Sequence, residues 1–489
     1  MRVSVMRIAF DVFDRLSGTA ALDCAAIGSF QNAKRRTMDT IILVPGGGGS
    51  RLTLKSQEIW PPNFNEIIFG YQRTTELQDS RVKATKVLDV YPPGAIIPCY
   101  EVYRPLQDDL NKIAQNLGSN RIDFAYDWRK DISWAANELA SKIASAVSAG
   151  STSITLVGHS MGNLLARVVL ESGDYSNKNW FSKIGRYVGI CGPHRGVPEI
   201  LEYVLGLSSW VSISASDMRI VSANSAYAAC YQCLPFQNIP VLVDIHIGPQ
   251  NFYDPGVANT FGLNQQNLDA AKVLQSKISF AQKPNNVNYT LIAGSQQSTD
   301  ELIDFDGVTF QDIVKDSQGD GTIPLWSTTS PQINSRVTPG DHIGIFKSYP
   351  FRQILYEILT AGTLAPELSL VEIPGITLSL NAITYLPHEP IDVLIIPDLA
   401  TQEISGTLEI TRVATPEVKK PRFVRYREQP VTYQGPQIRF IHATMHAPAD
   451  LGAYRISFKG SHGTSPRTAA TFAVVAPSAG GPRLFKDRH

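Results

Sequence analysis

The sequence predicts two folds in series. The first is a mostly parallel α/β sheet with helices on both faces and an insertion near its middle; the second is an all-β immunoglobulin-like sandwich. Three observations predict them. From residue 39 to about 363, short apolar β-branched runs alternate with stretches of helical period, the pattern of strands joined by crossover helices. One such run, residues 153–157, opens directly into Gly158-His159-Ser160-Met161-Gly162 and then a helix-compatible stretch. Beyond residue 364 the helical period is lost, and short alternating runs recur between Pro, Gly, Asn and Asp.

Size and charge set the outer bounds. A chain of 489 residues is long for one domain and can bury a sizeable core. Lys and Arg number 44, matching the 44 Asp and Glu, so no electrostatic argument points to nucleic acid or to an anionic surface as the main partner. Five cysteines (Cys24, Cys99, Cys191, Cys230, Cys233) lie scattered in the first half and form no disulfide framework. Cys230-x-x-Cys233 has metal-like spacing but no second Cys or His pair beside it, so buried thiols are expected. Residues 1–38 lack the apolar core of a signal peptide and read as a poorly ordered leader; with no long apolar run elsewhere, a cytoplasmic protein is expected.

Taken in order, residues 41–44 form a buried strand running into Gly46-Gly47-Gly48-Gly49-Ser50. Bare backbone N–H groups there suit an oxyanion loop; the Gly-Lys-Ser/Thr ending of a phosphate-binding loop is missing. Residues 55–100, irregular and aromatic, suit a surface excursion or lid rather than core. A helix is expected over 105–117 with Leu106, Leu110, Ile113 and Leu117 on one face, a strand over 122–126, and a helix over 133–147 using Trp134, Leu139, Ile143 and Val147. Strands at 154–157 and 187–190 follow, the second closing in Gly192-Pro193-His194-Arg195-Gly196. The insertion, about 196–285, carries an apolar stripe from Leu201 through Trp210 to Val221 that serves either ordinary packing or a cap over an acyl pocket. The sheet resumes at 289–294; a hairpin, Gly319-Asp320-Gly321-Thr322, a strand at 333–337 and a closing helix over 346–361 complete it.

The sandwich is expected over 364–477, with strands at 368–373, 376–380, 391–396, 406–411, 438–442, 452–458 and 469–475. Its histidines, His388, His442, His446 and His462, lack metal-ligand spacing and read as surface or packing residues. Residues 478–489 are rich in Gly and Pro and read as a flexible tail.

The strand, sharp turn and helix around Ser160 make a nucleophile elbow, the signature of an α/β-hydrolase. Small residues at minus two and plus two let strand and helix approach, and the helix N-terminus offers N–H groups to a developing oxyanion. A serine hydroxyl needs a base, and the base needs an orienting carboxylate; in this fold the chain order is Ser, acid, His. Among His194, His246 and His342, only His342 follows the last expected strand of the sheet. Asp320, between two glycines after the strand at 289–294, is the expected acid; Asp316, Asp306 and Asp304 are rivals, and Asp341 would point away from an adjacent base.

Val44-Pro45-Gly46, Tyr126-Asp127-Trp128-Arg129, Gly158-His159-Ser160-Met161-Gly162-Asn163, the stretch from Ser225-Ala226-Tyr227 to Leu234-Pro235, and Gly319-Asp320-Gly321-Thr322 stand in an order that resembles the lecithin:cholesterol acyltransferase family, which includes lysosomal phospholipase A2. The resemblance spans about residues 39–362. It implies a lipid acyl-ester hydrolase working through an acyl-serine, with Ser160 as nucleophile, Asp320 as acid, His342 as base, and the N–H groups of Gly47 and Met161 as the oxyanion hole. Neither metal nor cofactor is implied. There are departures: the Gly192–Gly196 loop looks more like that of bacterial triacylglycerol lipases, only Cys99 lies where secreted animal members pair two cysteines, and the sandwich is not part of the family core. The expected partner is a lipid or other acyl ester, with transient membrane-surface contact through the cap and no nucleic acid. Water is the expected acyl acceptor; an alcohol acceptor, or a non-catalytic binding protein on a hydrolase fold, are the alternatives.

Overall fold

The computed structural model describes residues 38–91, 100–307, 309–362, 375–415, 423–460 and 469–477. The expected leader, the tail, the strand at 368–373, Cys24, Cys99 and His462 lie outside them. Six strands form the main sheet: β1 (Met38–Val44), β2 (Asn120–Asp123), β3 (Ser151–His159), β4 (Ile184–Ile190), β5 (Asn288–Ser295) and β6 (Asn334–Pro339). Their spatial order is β6-β5-β4-β3-β1-β2, and every pairing is parallel.

Alternation along β1 explains why both faces are covered. Ile42 and Val44 pack into a core with helices α2 (Ile132–Ser148) and α3 (Gly162–Glu171), while Ile41 and Leu43 join a second core with α1 (Arg104–Leu117) and α7 (Tyr349–Thr360). The run Ile41–Val44 is buried on both faces and is accordingly apolar at every position. Leu117 and Trp134, expected on the buried faces, are instead exposed at helix ends. Between α3 and α7 in the chain stand the cap helices α4 (Pro198–Leu205), α5 (Ala215–Ser222) and α6 (Gln265–Lys277). An antiparallel hairpin, Gln297–Phe305 with Phe310–Gly319, follows β5.

Further expectations need correction. Residues 55–91 are not mere surface: Ser50–Leu54, Gln57–Trp60 and Lys83–Val87 form a small sheet, and Trp60, Ile67, Ile68 and Tyr71 are buried. The strand expected at 122–126 ends at Asp123, because the Tyr126 and Trp128 side chains turn inward, donating hydrogen bonds to the Pro45 carbonyl (2.8 Å) and the Ser50 carbonyl (3.2 Å). The closing helix starts at Tyr349 rather than 346, after a separate tight turn at Gly344–Lys347, because Ser348 caps α7 by accepting from the Phe351 N–H.

The elbow obeys the steric logic read from its glycines. A Cβ on Gly162 would lie 2.3 Å from the Val44 carbonyl oxygen and 2.5 Å from that of Pro45; one on Gly158 would lie 2.7 Å from Asn163 Oδ1. Backbone oxygens of a central strand cannot retreat. Gly162→Ala is therefore expected to cost about 3 kcal/mol, the upper range for overpacking, read as a shift of the denaturant midpoint.

The C-terminal strands are β7 (Ile376–Leu380), β8 (Thr384–Tyr385), β9 (Pro390–Pro397), β10 (Thr401–Ala414), β11 (Val424–Ile438), β12 (Ile441–His446), β13 (Gly452–Gly460) and β14 (Ala470–Val474). They form a sheet β7-β9-β12 facing a sheet β8-β14-β13-β10-β11. Leu378, Val393 and Ile395 from one meet Leu408, Ile456 and Phe458 from the other in a shared core. The strand expected at 438–442 is really the junction of two, β11 and β12. The long edge strand β11 escaped the sequence reading because most of its side chains are exposed and only that of Val431 is buried, leaving no apolar alternation. His388, His442 and His446 are exposed.

Candidate active site

Ser160 follows β3 at φ 51°, a left-handed conformation that a residue with a side chain adopts only under restraint. The restraint is visible. Its N–H donates to the Ile190 carbonyl (3.0 Å), and its carbonyl accepts from the Asn163 N–H (3.0 Å) and Asn163 Nδ2 (2.9 Å). Asn163 is fully buried and is itself held by the Tyr187 hydroxyl (2.7 Å) and the Ile190 carbonyl (3.0 Å). Strain at the turn is thus locked by three neighbours from β4 and α3.

Asp320 and His342 are brought together. His342 Nδ1 lies 2.8 Å from Asp320 Oδ2, and the His342 N–H donates to the Asp320 carbonyl (2.8 Å). The other carboxylate oxygen, Oδ1, accepts from the N–H groups of Thr322 (3.0 Å) and Ile323 (2.7 Å). Asp320 has no exposed surface. Burial opposes charge on the imidazole, but the Asp320 carboxylate, with smaller help from Asp341 and Glu199, outweighs it and raises the His342 pKa.

Ser160, Asp320 and His342 all line one cavity of about 1010 Å³, together with Gly46–Gly49 and Met161. Gly46 packs so closely that a Cβ there would lie 2.5 Å from Ser160 Cβ. A Cβ on Gly47 would lie 3.9 Å from the Met161 methyl carbon, and among the described residues neither the Gly47 nor the Met161 N–H has a hydrogen-bond partner. Ser160 Oγ makes no hydrogen bond to His342 here. Asp304, Asp306 and Asp316 sit on the hairpin, His246 is exposed, and His194 is buried, its ring nitrogens without a hydrogen-bond partner among the described residues and its pKa pushed well down by burial.

His159, the variable residue of the elbow motif, has a structural task that the sequence did not announce. Its Nε2 lies 2.9 Å from the His342 carbonyl, which only accepts, so Nε2 carries the proton. Nδ1 is then free to accept from the Tyr103 hydroxyl (2.7 Å), which in turn accepts from the Gly46 N–H (2.7 Å). Burial drives the His159 pKa well below its ordinary value, in keeping with this neutral tautomer. One chain of hydrogen bonds therefore ties the glycine loop to the backbone of His342.

The cavity has two characters. Its apolar side holds Trp60, Trp128, Trp210, Met218 and Val221, with Trp210 of the cap stacked on Trp60 at 5.0 Å. The apolar stripe of the insertion thus divides: Leu201, Val204 and Leu205 pack into the cap's own core, whereas Trp210, Met218 and Val221 face the cavity. Its polar side holds Glu199, Glu202 and Asp300, with Lys315 paired to Asp300. Burial and Asp300 raise the Glu199 pKa to about 7, and the same causes raise Glu202 well above its ordinary value. Sequence reading missed these acids: Glu199 and Glu202 sit one helical turn apart in an apolar stretch, which was the available signal.

Cys191 Sγ, an Asp320 oxygen and a His342 nitrogen lie within 4.8 Å of one another. They do not make a ready metal site. Both Asp320 oxygens are engaged, His342 Nδ1 faces one of them, and burial with the neighbouring carboxylate keeps the Cys191 thiol protonated. Burial likewise pushes the Cys230 thiol up to about 12 and Cys233 further. Among the described residues, no helix is long and apolar enough to cross a membrane.

A parallel sheet sandwiched by helices, a left-handed serine between strand and helix, and a buried Asp–His pair on the same cavity define an α/β-hydrolase, followed here by a β-rich domain. The family model described as lecithin:cholesterol acyltransferase matches residues 71–239, and the chain resembles that family. Among solved structures, it is similar to lipase BlEst2 of Bacillus licheniformis in mature form: 13% identity, TM-score 0.30, 66% of this chain and 93% of that one. Lipase B of Aspergillus fumigatus matches at 10% identity and TM-score 0.26, over 67% of this chain and 53% of that one. Likenesses this loose carry no argument about the reaction. No curated protein matches the chain.

Proposed function

We propose that this protein is a serine hydrolase cleaving lipid acyl esters through an acyl-serine intermediate. The observation that carries the reading is the strained Ser160 on the same cavity wall as the buried Asp320–His342 pair. Ser160 Oγ attacks the ester carbonyl while His342 Nε2 takes its proton, then returns it to the departing alcohol. Asp320 holds Nδ1–H and so keeps Nε2 as the acceptor. The serine–histidine hydrogen bond of such sites is often long in the free enzyme and tightens in the complex. The free N–H groups of Gly47 and Met161 are suited to hold the oxyanion. Water, activated by His342, then releases the acid.

The tryptophan-lined side of the cavity supports an acyl chain as the group bound, and the family resemblance supports a lipid. Exposed Ile220, Ile245 and Ile247 on the cap would meet a lipid surface. The test is fluorophosphonate labelling of wild type, Ser160→Ala and His342→Ala, followed by a panel of labelled acyl esters with and without sterol or diacylglycerol. Labelling lost in both variants and free fatty acid as product support the reading. A labelled sterol ester or triacylglycerol would make the enzyme an acyltransferase, and an unreactive wild-type serine would sink both.

Glu199 offers a finer test. With its pKa raised to about 7, Glu199 carries charge only in its ionised fraction; that fraction favours protonated His342, and the base works only when neutral. Asp320, Asp341 and Glu199 are the acids acting on this imidazole, so Glu199→Gln should lower its pKa. The acid limb of kcat/KM should move to lower pH, measured on a soluble chromogenic ester; movement to higher pH would contradict the assignment.

A further inference from the structure

We infer that the C-terminal β-sandwich is a working part of the catalytic centre, with Ser379 as a positioning residue for the base. The inference rests on the hydrolase reading above. Ser379 lies near the end of β7, is 1% exposed, and reaches across to the catalytic domain. Its hydroxyl accepts from the Asp341 N–H (2.9 Å), donates to Asp341 Oδ2 (2.6 Å) and accepts from Gln297 Nε2 (2.9 Å). One donor and two lone pairs are all that a hydroxyl possesses, so every one is spent on Asp341 and Gln297 of the hydrolase fold.

Those two partners flank the base and the acid. Asp341 immediately precedes His342, and its Oδ1 accepts from the N–H groups of Ile343 (3.2 Å) and Gly344 (2.6 Å), folding the chain into a tight turn just beyond the imidazole. Gln297 pairs with Gly319 and bridges to Asp320. A single hydroxyl thereby sets the base loop against the acid loop. The following residues of the sandwich, Asn381 to Tyr385, continue directly into the cavity wall. An appended module would touch the outer surface of its neighbour; this one completes the site.

Loss of the hydroxyl leaves Asp341 Oδ2 and Gln297 Nε2 buried without this partner and frees the turn. Misplacement of a catalytic group by about 1 Å costs on the order of 100-fold in rate. In the full chain, Ser379→Ala should lower kcat on a chromogenic ester by about that factor with KM nearly unchanged. It should also broaden or abolish the low-field proton resonance of the Asp320–His342 hydrogen bond, a signal that does not depend on turnover. Ser379→Thr, which restores the hydroxyl, should recover both, and Thr432→Ala, on the exposed edge strand, should change neither. Should Ser379→Ala fail to fold, Gln297→Met removes one arm of the same junction and should lower kcat. A folded Ser379→Ala, or in its place Gln297→Met, with wild-type kcat and an intact low-field proton overturns the inference. If wild type does not react with fluorophosphonate, the hydrolase reading fails instead, and the proton resonance still decides the positioning.

Discussion

Replacing Ser160 by glycine is expected to abolish fluorophosphonate labelling and to lower ester turnover about a million-fold, the scale of losing a catalytic serine. At the same time it should make the folded protein more stable by about 1 kcal/mol. Both effects have one origin. Ser160 is held at φ 51°, where a Cβ is strained and glycine is not. The bonds from Ile190 and Asn163 that impose this conformation are all made by the Ser160 backbone, so glycine keeps them. Ser160→Ala keeps the strain and loses the hydroxyl, so it should be equally inactive without the gain. Turnover with a soluble ester and the denaturant midpoints of the three proteins check the pair. If Ser160→Gly is no more stable than Ser160→Ala, the turn is not strained; if either retains turnover, the nucleophile lies elsewhere.

Asp320→Asn should reduce kcat about ten thousand-fold while leaving the fold intact. The reason lies in the unequal duties of the two oxygens. Oδ1 accepts from two backbone N–H groups, and only an oxygen can do so. An asparagine must therefore put its carbonyl there and its NH2 where Oδ2 stood, facing His342 Nδ1 at 2.8 Å in the native protein. Two donors cannot share that position, so the imidazole moves its proton to Nε2 and can no longer accept one from Ser160. Raising the pH does not rescue such a tautomer. A residual rate that recovers at high pH would instead indicate that Asp320 acts mainly through its charge.

Much of this is legible in the sequence. The two-face burial of β1 follows from Ile41, Ile42, Leu43 and Val44 all being apolar, and the elbow follows from glycines on either side of Ser160. Such features are local, because the atoms that clash or pair lie within a few residues of each other or in the next strand. The same logic failed where burial was not written as a period. Trp60, Ile67 and Tyr71 looked like an irregular excursion because they are buried singly against different neighbours, and β11 was invisible because one exposed strand carries no apolar signal.

By itself, then, the sequence determined the fold class, the strained serine, and the candidates for acid and base, since each is a matter of residue type and order along the chain. Only the tertiary structure decided that Asp320 and His342, 22 positions apart, meet at one carboxylate oxygen, that Glu199, Glu202 and Asp300 line the cavity, and that the Ser379 hydroxyl bonds to Asp341. Contacts of that kind depend on how whole sheets pack. A hydroxyl 38 residues beyond its partner leaves no periodicity or spacing to announce it.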